Sequence, residues 1–145
     1  MEEYGKNKIK IFNVPFPVRK NQEKISININ TPSKPSKEQI INQAIQFHLQ
    51  GNISEAAKHY QQLINQGFKD HRVFSNYGFI LINLGKLQDA EISTRKAIEI
   101  NPDYAIAHLN LGNILKDTGK SKEAEIYIRK AIALKPDYAQ AYSNL

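Results

Sequence analysis

HRVFSNYGFILINLGKLQDAEISTRKAIEINPDY, residues 71–104, runs without a gap into AIAHLNLGNILKDTGKSKEAEIYIRKAIALKPDY, residues 105–138. Aligned, 16 of the 34 positions are identical. The identities include Asn76/Asn110, Gly78/Gly112, Gly85/Gly119, Ala90/Ala124, the Arg-Lys-Ala-Ile runs at 95–98 and 129–132, and the Pro-Asp-Tyr ends at 102–104 and 136–138. Self-similarity at a fixed period of this length marks stacked supersecondary units, each burying its apolar face on the next.

Working outward, residues 37–70 form a third, diverged copy of the same length. Gly51 aligns with Gly85 and Gly119, and Ala56 with Ala90 and Ala124. Ser36-Lys37-Glu38-Gln39 has capping-box spacing, so a helix is expected from 37 to 50, its face formed by Ile40, Ala44 and Phe47. After Gly51-Asn52, Ser54 is expected to cap a second helix with Ala57, Tyr60 and Ile64, closed by Gly67. At the other end a fourth copy opens at Ala139, again with capping-box spacing in Asp137-Tyr-Ala-Gln140, and the sequence stops at Leu145. That ending is expected of a fragment of a longer chain, because an array needs a polar cap.

Composition agrees with a packed domain: 41% of residues are apolar and 23% charged. No apolar run approaches the roughly 18 residues that mark a transmembrane helix, and the N-terminus has no basic start leading into an apolar stretch. The absence of cysteine excludes disulfides and thiolate chemistry and fits a cytoplasmic protein. The net charge of +6 is uneven. Residues 1–36 hold seven Lys and Arg against three Glu, a net +4. This end gives weak attraction to polyanions, but nothing marks a specific nucleic-acid site. Segments 6–11 and 25–29 alternate in hydropathy like short strands, yet a lone strand has nothing to pair with, and four prolines interrupt the region. Residues 1–35 are therefore expected to be a basic, mostly disordered arm with at most a transient or docked strand, the rival expectation being a segment ordered by a partner, and 36–145 the array.

The repeated residues resemble the tetratricopeptide repeat, a helix–turn–helix unit. Gly78 and Gly112 are small where two helices of a unit cross, with Leu81, Leu115 and Phe47 filling the space one turn on. Gly51, Gly85 and Gly119 end the first helix in a left-handed cap. Ala56, Ala90 and Ala124 admit the partner helix, while Ala97 and Ala131 pack on the following unit. Pro102-Asp103 and Pro136-Asp137 break the chain, and each Asp is expected to cap the next helix. The resemblance implies an all-α fold, an α-solenoid of antiparallel helix pairs in a right-handed superhelix. Its units are 37–70, 71–104, 105–138 and a partial one at 139–145.

The same resemblance implies a protein-interaction module whose concave groove, lined by the first helices, receives an extended peptide or protein segment. Asn42, Asn76, Asn110 and Asn144 recur at one register. A carboxamide can hold a peptide backbone through acceptor and donor together. Such a ladder is similar to that of O-linked N-acetylglucosamine transferases, whereas hydrogen bonding within the array explains the same residues equally well. Arg72, Ser75, Phe79 and Asn83 share that side in the second unit, and Ile106, Leu109, Asn113 and Asp117 in the third. Phe79, Ile106 and Leu109 are expected to be exposed unless a ligand covers them. Glu38 and Ile106 stand where a chaperone-tail carboxylate clamp needs cations, which argues against a chaperone C-terminal carboxylate; only Arg72 is compatible. An alternative is the N-terminal substrate-recognition array of a larger transferase, such as a glycosyltransferase, with its catalytic domain beyond residue 145.

No constellation points to catalysis, cofactor or metal. His48, His59, His71 and His108 share no helical ligand spacing, and His108 reads as a packing residue. The pairs Asp89/Glu91 and Glu123/Glu125 precede Arg95-Lys96 and Arg129-Lys130 by helical spacings, as surface ion pairs do. The Gly-Lys pairs at 85–86 and 119–120 lack the upstream glycine and strand of a phosphate loop.

Overall fold

The computed structural model describes residues 33–145, so the arm expected at 1–35, with its two candidate strands, lies outside the described residues apart from Ser33, Lys34 and Pro35. Seven helices follow: α1 (Lys37–Leu49), α2 (Ile53–Asn65), α3 (His71–Asn83), α4 (Leu87–Ile100), α5 (Ala105–Asp117), α6 (Ser121–Leu134) and α7 (Ala139–Asn144). They pack in order: α1 on α2, α3 on α4, α5 on α6, with α2–α3, α4–α5 and α6–α7 joining successive pairs. Among the described residues the helix pairs thus stack in sequence order, which makes an all-α solenoid.

The turns inside each pair follow from glycine. At Gly51, Gly85 and Gly119 φ is 74°, 72° and 80°, a left-handed conformation that a Cβ disfavours. The flanking amides close the same ring each time. Lys86 N donates to the Leu81 carbonyl at 2.9 Å and Gly85 N to that of Ile82 at 2.9 Å, and Asn52 and Lys120 repeat the longer bond. Helix crossing also follows from glycine. A methyl built on Gly78 would stand 2.5 Å from Thr94 Oγ1 and 3.3 Å from the Ala90 carbonyl oxygen. On Gly112 it would meet Ile128 Cγ1 at 2.5 Å and the Ala124 carbonyl oxygen at 3.2 Å. Ala90 and Ala124 are buried opposite, as are Leu81 and Leu115 one turn on. Ala131 packs with Leu109, Ile128 and Ala141 of the following helix, as expected of a residue that joins two units.

Several local expectations are corrected. The buried face of α1 is Ile41, Ala44, Ile45 and His48, while Ile40 and Phe47 are half-buried. That helix has apolar residues on two faces, and the buried one serves α3 as well as α2. On α2 the buried residues are Ala56, Tyr60 and Leu63, not Ala57 and Ile64. Its cap is Asn52, whose side chain accepts from Glu55 N at 3.5 Å, rather than Ser54. Asp103 and Asp137 do not cap: the N-caps are Tyr104 and Tyr138, without a side-chain cap bond. The Pro-Asp-Tyr turn buries the Tyr104 ring instead. Burying an aromatic ring is worth about 2 kcal/mol, a cap bond about 1 kcal/mol. The capping box at Ser36 is present in both its halves, Gln39 N to Ser36 Oγ at 3.2 Å and Ser36 N to Gln39 Oε1 at 2.7 Å.

Candidate functional site

The recurring asparagines all lie on first helices, one per unit, but their surroundings differ. Asn42 is exposed. Asn76 is only 4% exposed, and its Nδ2 donates to the Tyr60 hydroxyl at 3.2 Å. Asn110 is half-buried, and its Nδ2 points at Ser75 Oγ at 3.4 Å, long for a hydrogen bond. Asn144 Nδ2 donates to Asn113 Oδ1 at 2.8 Å. Three of the four carboxamides therefore bond within the array, and each of those bonds reaches an element of the preceding unit.

The residues expected beside them divide in the same way. Arg72 is not an open cation. Its guanidinium grips Glu38 with two bonds, at 2.6 and 2.8 Å, and Asp70 with two more, at 3.0 and 2.9 Å. Asp70 also caps α3 by accepting from Arg72 N at 2.9 Å. The bond from Arg72 holds the Glu38 carboxyl below its ordinary range. For Asp70 burial pushes upward, but the bonds to Arg72 outweigh it and the net shift is down. Leu109 is a correction: it is 1% exposed, locked between Ile128, Ala131 and Ala141, because the register before the asparagine faces the next pair of helices. Ile41 and Ser75, at the same register, are likewise buried. Phe79, Ile106 and Asn113 are half-buried, while Asn83 and Asp117 are exposed.

A corner of aromatic rings escaped the sequence reading. His48, from the last turn of α1, lies 5.5 Å from the Phe79 ring on α3 and edge-on to Tyr60 on α2 at 6.3 Å. Tyr60 in turn accepts from Asn76, three residues before Phe79. Comparison by register is the signal that finds it: His48 corresponds to Ile82 and Lys116, Tyr60 to Thr94 and Ile128, and Phe79 to Ile45 and Asn113. Positions that the fold needs repeat, and these do not.

On the far side of α3, at about half a helical turn from Asn76, a cleft of about 740 Å3 opens between α2 and α4. Ile64, Phe74, Tyr77, Leu81 and Ile92 line it, with Asp89 and Lys96 among its polar residues. Elsewhere the polar groups serve packing. His108 is buried, stacks on Tyr127 at 6.0 Å and places Nε2 2.6 Å from the Pro102 carbonyl oxygen. Glu91, Glu123 and Glu125 pair with Arg95, Arg95 and Arg129 in turn. Among the described residues no helix is long and apolar enough to cross a membrane.

A family model for the tetratricopeptide repeat matches residues 71–104 and 105–138. No curated protein sequence matches the chain. Several solved structures share the fold. MamA superposes with a TM-score of 0.68 at 20% identity, over 74% of this chain and 63% of that one. The first such domain of Spaghetti (RPAP3), bound to an HSP90 peptide, gives 0.68 at 21%, over 73% and 84%. A mutant Thermobaculum terrenum O-GlcNAc transferase gives 0.71 at 20%, over 77% of this chain and 22% of that one. The chain thus spans less than two thirds of MamA and a small part of the transferase.

Proposed function

We propose that this chain, a tetratricopeptide-repeat protein, is an interaction module that presents the face of its first helices to an extended protein segment. The observation that carries the reading is the contrast between registers. Gly78 and Gly112, or Ala90 and Ala124, repeat because a Cβ more or less decides helix packing. On the face of Asn76 the residues change from unit to unit although the same backbone supports them, as a surface does when it is shaped for something outside the fold. The peptide seen on the Spaghetti relative supports the class of ligand. A free carboxylate terminus suits this face poorly, since Arg72 is already neutralised by Glu38 and Asp70.

Asn42 and Asn110 are the ladder members best placed to hold a backbone, one exposed and the other tied by a single long bond. The test is binding of a displayed random decapeptide library to the whole chain and to the double variant Asn42→Ala, Asn110→Ala. Loss of about tenfold in binding, with the helical circular dichroism unchanged, is expected from removal of two backbone contacts. Undiminished binding sinks the ladder. A second reading, substrate recognition for a larger transferase, draws on the overlay with the O-GlcNAc transferase. It is tested by the coding sequence downstream of Leu145: a stop codon there ends that reading.

A further inference from the structure

Successive second helices meet along two seams, and comparison by register sets them apart. At the α4–α6 seam the Tyr127 ring stacks on His108 at 6.0 Å, and the Arg95 guanidinium lies over it, 5.7 Å from its centroid. Arg95 also donates to the Tyr127 hydroxyl at 3.1 Å and to the Glu123 carboxylate at 2.9 Å. One unit earlier, at the α2–α4 seam, Ser93 stands in the register of Tyr127, Phe74 in that of His108, Gln61 in that of Arg95 and Asp89 in that of Glu123. All four line the cleft of about 740 Å3. The cleft therefore opens where the other seam holds a ring and a guanidinium. Ser93 Oγ is already spent on the Phe74 carbonyl, at 2.8 Å, and the Tyr77 ring and Ile92 add apolar wall.

One charge in the cleft is left over. Lys96 pairs with Glu99, and Arg95 is held by Glu91 and Glu123. Asp89 is exposed, and among the described residues no hydrogen bond or ion pair reaches it. An acid in the first turn of α4 suits the helix dipole, but Glu123 stands at the same place on α6 and still takes a guanidinium. The charge of Asp89 is felt inside the cleft, where burial and then this carboxylate raise the Tyr77 phenol.

We propose that the α2–α4 cleft is a second interaction surface, independent of the groove, and that it takes a protein segment presenting an aromatic side chain beside a basic one. The ring enters over Ser93 and against Phe74, as Tyr127 lies against His108, and the cation meets Asp89, as Arg95 meets Glu123. The volume lies within the range of clefts that enclose whole ligands, roughly 300–1,000 Å3, so residues flanking the ring are covered with it. An acidic segment is repelled by Asp89, and a purely apolar one leaves that carboxylate to lose water without a partner.

The experiment pans the displayed random decapeptide library against the whole chain and keeps the peptides that Ser93→Tyr, which installs the ring of the next unit, no longer binds. These should carry an aromatic residue within a few positions of Arg or Lys. Asp89→Lys, a change at an exposed residue, should bind them about tenfold more weakly. Panning against Asp89→Lys should enrich acidic residues beside the aromatic one instead. Asn42→Ala, Asn110→Ala should bind them as the wild type does, which separates the cleft from the groove. Should Ser93→Tyr fail to fold, Ile92→Cys, at a residue 69% exposed, blocks the cleft once it carries a bulky maleimide, and the chain has no other cysteine to react. Selection of no such peptides, peptides without a basic residue, or equal binding by Asp89→Lys overturns the proposal. Self-association of the wild type in sedimentation that the blocked chain loses would make a second copy the occupant, and overturns it as well.

Discussion

The first helix pair and the two that follow share a period and solve the same packing problem by different means. In α1 and α2 the helix starts are held locally, by the Ser36 capping box and by Asn52, and Asp70 then caps α3. In the later pairs Lys86, Tyr104 and Lys120 are the N-caps and make no side-chain cap bond. What holds those pairs is close approach: Gly78 and Gly112 admit the facing helix to within a methyl's reach, where α1 has Ala44. Local caps thus hold the first pair and the start of α3, and beyond Asp70 the helices rely on interhelix fit. A change of one methyl group at one register should therefore cost more in a later pair, where it is added, than in the first pair, where it is removed.

Gly112→Ala is the most damaging test. A Cβ there meets the Ala124 carbonyl as well as Ile128, and backbone does not yield as a flexible side chain does. A loss of about 2–3 kcal/mol in urea unfolding is expected. At the matching register of the first pair the reverse change, Ala44→Gly, should cost only about 1 kcal/mol, mainly through helix propensity. If Gly112→Ala is as mild as Ala44→Gly, the two kinds of pair do not differ in the way described.

Acidity should separate the pairs next. Burial lowers the affinity of His48 for protons below its ordinary 6.5, and His71, edge-on to Tyr104 at 4.6 Å, is lowered by the same cause. A depressed histidine stabilises the fold fully above that ordinary value and loses its contribution as pH falls below it, toward the lowered value. Glu38 and Asp70 are also depressed, so their contribution persists until more acid conditions, below the ordinary 4.5 and 3.8. Amide-exchange protection factors, which correct for the intrinsic slowing of exchange in acid, should therefore fall in α1 to α3 between pH 7 and pH 5.5, with α5 and α6 unchanged. In His48→Ile the fall should shrink in α1 and α2; a uniform fall through α6 would count against a local origin. A smaller loss, about 1 kcal/mol, is expected for Ser36→Ala, again confined to α1 in exchange experiments.

Much of this was legible in advance, and the boundary falls where interactions become long-range. The helix ends at Gly51, Gly85 and Gly119 are visible because a left-handed turn needs glycine whatever surrounds it. The small residues at the crossings are visible because they repeat. Leu109 was misread because helical periodicity tells which residues share a face but not which face the next unit covers. The Tyr104 cap was misread because Asp is the better cap in isolation, and only the packed array shows what the tyrosine ring gains. The candidate groove shows the same division. The register of Asn76 is plain in the sequence; its bond to Tyr60, 16 residues away on another helix, is not.

The smallest effect sharpens the contrast between local and interhelix bonds on the outer helices. Arg95 and Arg129 occupy one register, yet Arg95 reaches Glu91 on its own helix at 2.8 Å and Glu123 on the next second helix at 2.9 Å, with the Tyr127 hydroxyl at 3.1 Å. Arg129 pairs with Glu125, four residues back on α6, at 2.7 Å. Exposed pairs of the second kind are worth roughly 0.3–0.5 kcal/mol, and networks spanning two elements somewhat more. Arg95→Ala should cost about 0.5–1 kcal/mol and Arg129→Ala less than about 0.5 kcal/mol. The gap should narrow as salt rises and screens the bridge between units. Equal costs at low salt would mean that Glu123 adds nothing through Arg95, leaving the Lys120–Glu91 pair and apolar packing to join α4 and α6.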